Sequence, residues 1–172
     1  VLDGGGSHTV VRYAGRSPDE APPDELAVGS AFLKPTLFDD ALLEPARPAV
    51  FLAMPILKRV TTPSIPFLEG AWPLLVKYDP NLAVGFYLYG GPWDGEIVWP
   101  PGLRNAPFHE EKIHNLLPNQ ELLSGSVHVP ATEGDYVFVR PQEGDGIAVF
   151  TRILAVRDGK VEKVWAPMPT LN

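Results

Sequence analysis

Alternation of apolar and polar positions is clearest in the second half of the chain. In "AVGFYLY", the side chains of Val84, Phe86 and Leu88 fall on one face of an extended backbone and the intervening residues on the other. This period of two predicts a strand. Three further strands are predicted at "DYVFVR", "IAVFTRILAV" and "VEKVWA". Between the last two, Asp158-Gly159 supplies the pair of positive φ angles that a tight hairpin needs.

The middle of the chain, residues 31–80, is apolar but contains eight Pro. Frequent prolines exclude long helices and restrict central strands. We expect strands at "AVFLAM" (Ala49–Met54) and "PLLVKY" (Pro73–Tyr78). Pro55, Pro63 and Pro66 should place the backbone between them at a sheet edge or in a loop.

Two short helices are predicted. The first spans Leu37–Glu44, with Thr36 as its N-cap and Pro45 as its stop. The second is "APFHEEKIHNLLP", in which Pro107 suits the first helical position and Pro118 ends the pattern. Its buried face would consist of Ile113, Leu116 and Leu117.

Residues 1–30 differ in composition from the rest. They contain a run of three Gly and the stretch "SPDEAPPDELAVGS", with one short extended stretch, His8–Tyr13, between them. Such a segment buries too little to order itself, so it should lie on its own domain or on a neighbouring subunit. We therefore expect an extended N-terminal arm at residues 1–30 and a single β-rich domain at 31–172. The fold class is mainly β, an antiparallel sandwich or barrel-like sheet with one or two short helices.

Composition and charge exclude several classes of function. The chain has 172 residues and a net charge of −7, without any basic run, so it lacks the clustered Lys and Arg with which proteins bind nucleic acids or anionic lipid. It has no Cys, which excludes disulfides, thiolate zinc sites and Cys nucleophiles. The longest apolar run, Ala49–Leu57, is too short for a membrane span. We expect no cofactor.

The stretch "YGGPWDGEIVWPPG", residues 89–102, combines turn-forming residues with two tryptophans. Pro92, Asp94 and Gly95 are typical of a turn, which is the simpler interpretation. The turn does not explain Trp93, because a tryptophan at the tip of a turn is poorly placed for a role in the core. An exposed Trp at a rigid turn is instead a good interface anchor. Binding candidates are therefore the residues Trp93, Asp94, Gly95, Trp99 and, in the N-terminal segment, Tyr13.

"HEEKIH" suggests a metal site only weakly. His109 and His114 are five residues apart, about 140° apart around a helix, so they cannot bind one ion from one face. Glu110 and His114 are four apart and could form half of a metal site, although a solvated helix face is the simpler interpretation. No metal site is predicted.

The acids Asp94 and Glu96 are two residues apart and would share a face if a strand began at Asp94. Such a pair could serve acid–base catalysis, although exposed turn acids are the ordinary explanation.

"GGPWDG" resembles the GGP-x-DG pattern of small proteins encoded by actinobacteria and their phages. The resemblance covers about residues 89–155, with "DYVFVR" and "AVFTR" as its later part, while residues 105–118 depart from the pattern. It implies a β-rich phage or actinobacterial protein of unknown activity and assigns no catalytic residues.

These features favour a non-enzymatic structural or binding module that docks on a larger protein assembly. A phage virion accessory protein, for decoration or for the tail, would fit, located in the virion or the cytoplasm. Its partner would be another protein or a further copy of the chain. The alternative is a small hydrolase or metal-dependent enzyme using His109, Glu110 and His114, or the pair Asp94 and Glu96.

Overall fold

The structure, a computed structural model, describes the chain except for residues 18, 21–22, 40, 42, 62, 64–67, 107–119 and 168–172. It is 35% strand and 17% helical, which confirms the mainly β class. Contacts divide the chain into two units, one formed by Val1–Val50 with Glu143–Asn172 and the other by Phe51–Gln142. The arm at residues 1–30 and the single domain at 31–172 stay predictions.

Ten strands and one α-helix lie in the described ranges. The strands are β1 (Asp3–Gly4), β2 (Glu25–Leu26), β3 (Leu52–Thr61), β4 (Val84–Tyr89), β5 (Gly95–Trp99), β6 (Leu103–Asn105), β7 (Gln120–Gly125), β8 (Tyr136–Pro141), β9 (Ile153–Arg157) and β10 (Lys160–Trp165). The helix α1 spans Trp72–Tyr78.

The unit Phe51–Gln142 is built on one six-stranded sheet in the order β5-β8-β3-β4-β7-β6. All its neighbouring strands are antiparallel, and the sheet is nearly closed and barrel-like. The predicted face of β4 is its core: Val84, Phe86 and Leu88 are fully buried, and Phe86 pairs with Leu123 of β7. Strand β8, "DYVFVR" in the prediction, alternates in the same way, with Val137 and Val139 buried.

Pro55 lies inside β3, a central strand of the sheet, not at a sheet edge or in a loop as expected. Before and at Pro55 the strand pairs with β8, and from Ile56 onward it pairs with β4. The proline therefore stands where the strand exchanges one partner for the other, a position at which a missing N–H costs no ladder hydrogen bond on the β4 side. The predicted strand at 49–54 accordingly begins later, at Leu52, and extends to Thr61.

The strand predicted at Pro73–Tyr78 is wrong, because this segment is the helix α1. Pro73 occupies its first turn, where a proline is tolerated. Trp72 is buried against Leu82, with Leu68 and Val76 packed around them. Trp72 and Val76 are four residues apart and share one helix face, so burial of that face favours the helix over the extended form.

The helix α1 leads through Asp79 into a 3-10 turn at Pro80–Leu82. The Asp79 carboxylate accepts a hydrogen bond from the backbone N–H of Asn81 at 3.1 Å and forms an ion pair with Arg104 of β6. The hydrogen bond from Arg104 holds the pKa of Asp79 below its usual value.

The predicted helix at 37–44 is largely wrong in its described part. A single 3-10 turn spans Thr36–Phe38, so Thr36 lies inside it, and Pro35 is the cap. Residues 40 and 42 are outside the described range. The second predicted helix, residues 106–118, lies outside the described residues except for Ala106.

The N-terminal segment packs within its own unit. β1 and β2 pair in parallel, and the hydroxyl of Ser7 accepts a hydrogen bond from the backbone N–H of Ala31 at 3.1 Å. The His8 ring stacks on Phe38, with 4.2 Å between ring centroids. The extended stretch expected at 8–13 is wrong: Val10–Tyr13 is a 3-10 helix, because the N–H groups of Thr9 and Val10 bond to the carbonyl of Gly6 and start a turn.

Strands β9 and β10 form the hairpin that Asp158-Gly159 predicts. These two residues have φ angles of 50° and 73°, which confirms the turn. The strand expected over "IAVFTRILAV" is shorter than predicted, because Asp145–Val149 is a 3-10 helix and β9 begins only at Ile153.

Candidate interaction surface

The loop between β4 and β5 is closed by the side chain of Trp93. Its indole N–H donates to the carbonyl of Gly90 at 2.7 Å, and the residue is half-buried. The tryptophan that turn chemistry leaves unexplained therefore has a local structural role. Asp94 is exposed, and its carbonyl accepts a hydrogen bond from the N–H of Gln142 at 2.8 Å, which joins the end of the loop to the end of β8.

Gly95 begins β5 at a point where the neighbouring strand lies very close. A Cβ at this position would collide with the carbonyl oxygen of Arg140 and lie 3.0 Å from the Cα of Pro141. Only glycine permits this approach. Gly95 therefore fixes the start of β5 against β8 and, with it, the position of the residues that follow.

Trp99 lies at the other end of β5, in a row of side chains that crosses three strands. It pairs with Phe138 of β8, which pairs in turn with Ala53 of β3. Directly paired residues point to the same side of a sheet. The register of β5 shifts between Ile97 and Trp99, and this bulge brings the indole opposite the phenylalanine.

Tyr136 extends the row, since it lies two residues from Phe138 on β8 and pairs with Pro55 of β3. Trp99 and Tyr136 are each 51% exposed and Phe138 is 38% exposed. We call these three side chains, with Ala53 and Pro55, the aromatic face. Three large rings exposed on one side of a sheet form an apolar surface of the kind that marks interaction sites.

A charged pair follows the aromatic face along β8. Arg140 pairs with Glu96 of β5, and its guanidinium nitrogen lies 3.6 Å from the Glu96 carboxylate. The Arg140 side chain is 7% exposed, whereas that of Glu96 is 61% exposed. The accessible charge of the pair is therefore the carboxylate.

The structure brings some of the predicted site residues together. Asp94, Gly95 and Trp99 lie on or beside β5, and Trp93 closes the loop before it. Tyr13 belongs to the other unit, where it is half-buried at the end of a 3-10 helix. Sequence reasoning did not select Tyr136 and Phe138, although "YVFVR" alternates aromatic with aliphatic residues and so indicates that one face of this strand carries rings.

In the part of the chain that the structure describes, the residues proposed for a hydrolase or metal-dependent enzyme do not come together as a catalytic group. Asp94 and Glu96 are exposed, and Glu96 is paired with Arg140. His109, Glu110 and His114 lie outside the described residues. Within the described ranges, no group of three His, Asp or Glu side chains is arranged to hold a metal ion.

The protein is mainly β, with a nearly closed, barrel-like sheet that carries the exposed aromatic face. No protein-family model matches the chain, and no curated protein matches it. In the described part of the chain, every helix is too short or too polar to cross a membrane. The resemblance to GGP-x-DG proteins stays a prediction.

Proposed function

We propose that this protein is a non-enzymatic binding module, which docks on a partner protein through the aromatic face. The row formed by Trp99, Phe138 and Ala53 carries the proposal, because it exposes two large rings side by side on rigid strands. Trp and Tyr are enriched among the residues that dominate binding energy at protein interfaces. Strands also hold such side chains more rigidly than loops do, which lowers the entropy lost on binding.

The charge of the molecule favours a protein over a nucleic acid as the partner. Aromatic platforms that stack nucleic-acid bases lie in positively charged grooves. Here the chain carries −7, and the exposed charge that follows the aromatic face along the sheet is the carboxylate of Glu96. The complementary partner is a protein surface with an apolar centre and basic residues at its rim.

The loop at residues 89–95 supports this surface. Trp93 closes the loop, and Gly95 sets the start of β5 against β8, the strand that carries Phe138. The resemblance of this loop to the GGP-x-DG proteins favours a phage assembly as the partner, with the chain as a decoration or tail accessory protein.

Capture from an extract of the native source tests the proposal. Immobilised wild type, Trp99→Ala and Tyr78→Ala are compared, since Tyr78 is an even more exposed aromatic residue that lies outside the aromatic face. A true partner is retained by wild type and by Tyr78→Ala and is lost with Trp99→Ala. Its purified form should bind Trp99→Ala about 30-fold more weakly than wild type, which corresponds to about 2 kcal/mol.

Circular dichroism on the same samples separates lost binding from lost folding. Phe138→Ala is the second variant, since its ring lies opposite Trp99 on a different strand. The proposal is wrong if Trp99→Ala and Phe138→Ala, while still folded, retain every protein that wild type retains. It is also wrong if Tyr78→Ala weakens binding as much as these two variants do.

A further inference from the structure

The hairpin β9–β10 exposes an edge. In the part of the chain that the structure describes, β9 and β10 pair only with each other, and all six residues of β10 are exposed. The outer side of β10 therefore presents backbone N–H and C=O groups to which a further strand can bond. A two-stranded hairpin is marginally stable by itself, so added strands stabilise it.

One face of the hairpin is entirely aliphatic. The pairs Val161 with Val156 and Val164 with Leu154 place four side chains on one side, each between 55% and 62% exposed. The register shift at Glu162 produces this arrangement, because without it residues 161 and 164 would point to opposite sides.

We propose that the strand that adds to this edge is β10 of a second copy of the chain. Its sequence, "KVEKVW", is complementary to itself when two copies run antiparallel around an axis between Glu162 and Lys163. In that register Val161 faces Val164 of the other copy, and Glu162 faces its Lys163. Lys160 faces its Trp165, a cation beside an indole ring. Each contact occurs twice, as a two-fold axis requires.

Charge selects this register over its neighbours. An axis centred on Glu162 would place the two Glu162 side chains opposite each other, and one centred on Lys163 would do the same for the lysines. Like charges directly opposite in a sheet are destabilising.

Pairing of the two β10 strands produces a four-stranded antiparallel sheet that spans the dimer and joins the two aliphatic faces into one. Because the contact consists mainly of one strand from each copy, it lies at the low end of interface sizes. We expect a weak dimer, with a dissociation constant of about 10–100 µM.

Sedimentation velocity of the full chain at rising concentration tests the inference. Wild type should shift from 18.8 kDa towards twice that mass. Lys163→Glu places Glu162 opposite a glutamate, and we expect it to weaken the dimer at least 10-fold. The double variant Glu162→Lys with Lys163→Glu restores opposite charges between the two copies at positions 162 and 163 and should restore dimerisation.

Two controls make the result specific. Lys77→Glu changes the charge equally at an exposed position on α1 and should leave the dimer intact. Trp99→Ala should also leave it intact, which separates the dimer from binding at the aromatic face. A wild type that stays monomeric at about 500 µM overturns the inference. So does a Lys163→Glu variant that dimerises like wild type, or a double variant that is not restored.

Discussion

Strands β4 and β10 have the same length, six residues, but opposite surroundings. β4 pairs with β3 on one side and β7 on the other, and of its residues Tyr89 alone is exposed. β10 pairs with β9, and every one of its residues is exposed. Three of the six residues of β10 are charged, whereas β4 has none.

This difference separates residues that contribute to folding from residues that stay in contact with water. Side chains on β4 contribute to the free energy of folding because they leave water when the chain folds. Those on β10 remain in water and so contribute little to it. Their apolar surface is therefore available for contact with a second molecule.

The largest expected effect is from truncation in the core of β4. Phe86→Ala should lower the free energy of unfolding by about 3–5 kcal/mol, because it removes a fully buried ring and leaves a cavity. Trp165→Ala, on β10, should lower it by less than about 1 kcal/mol. Urea denaturation at low protein concentration measures both. Equal losses would show that β10 belongs to the folded core.

A smaller effect is expected at the start of β5. Gly95→Ala should destabilise by about 1–3 kcal/mol, because the new methyl group meets the backbone of β8. Gly70→Ala is the matched control, since a Cβ there would meet no atom within 4 Å. The same denaturation experiment applies. If Gly95→Ala is as stable as Gly70→Ala, β5 does not approach β8 as described.

The smallest effect concerns two ion pairs, Asp79 with Arg104 in the sheet unit and Glu162 with Arg157 on the hairpin. The pKa of Asp79 is lowered in the folded state, so its stabilisation is present above the unfolded pKa and is lost as the pH falls through the folded value. Arg104→Gln should therefore lower the melting temperature at pH 6 but much less at pH 2.5.

Arg157→Gln on the hairpin is the comparison variant, because this side chain is 74% exposed and its pair contributes little. An NMR titration of the Asp79 carboxyl carbon should show a midpoint below that of an unperturbed Asp in wild type and an upward shift in Arg104→Gln. An unchanged midpoint would contradict the assigned cause of the lowered pKa.

The sequence predicts elements whose signals are local. Alternation predicts β4 and β8, and Asp158-Gly159 predicts the hairpin turn. The segment that forms α1 is a short apolar run, which fits a strand or a helix equally well, and contacts with residues beyond the run decide between them.

The aromatic face could be predicted only in part. Trp99 is selected by residue type, but its pairing with Phe138 depends on a bulge in β5 and on the register between strands that are distant in sequence. The bond from Trp93 to the carbonyl of Gly90 likewise depends on the conformation of the loop. Neither is encoded in a local pattern of residue types.

The partner exchange of β3 at Pro55 has a consequence for synthesis on the ribosome. The β4 side of β3 finds its partner soon after β3 leaves the ribosome, whereas the β8 side must wait until the chain up to Pro141 has emerged. Until then, the N-terminal half of β3 remains an unpaired edge, and Ala53 has no Phe138 beside it. The aromatic face is thus assembled late, only after β8 has been synthesised.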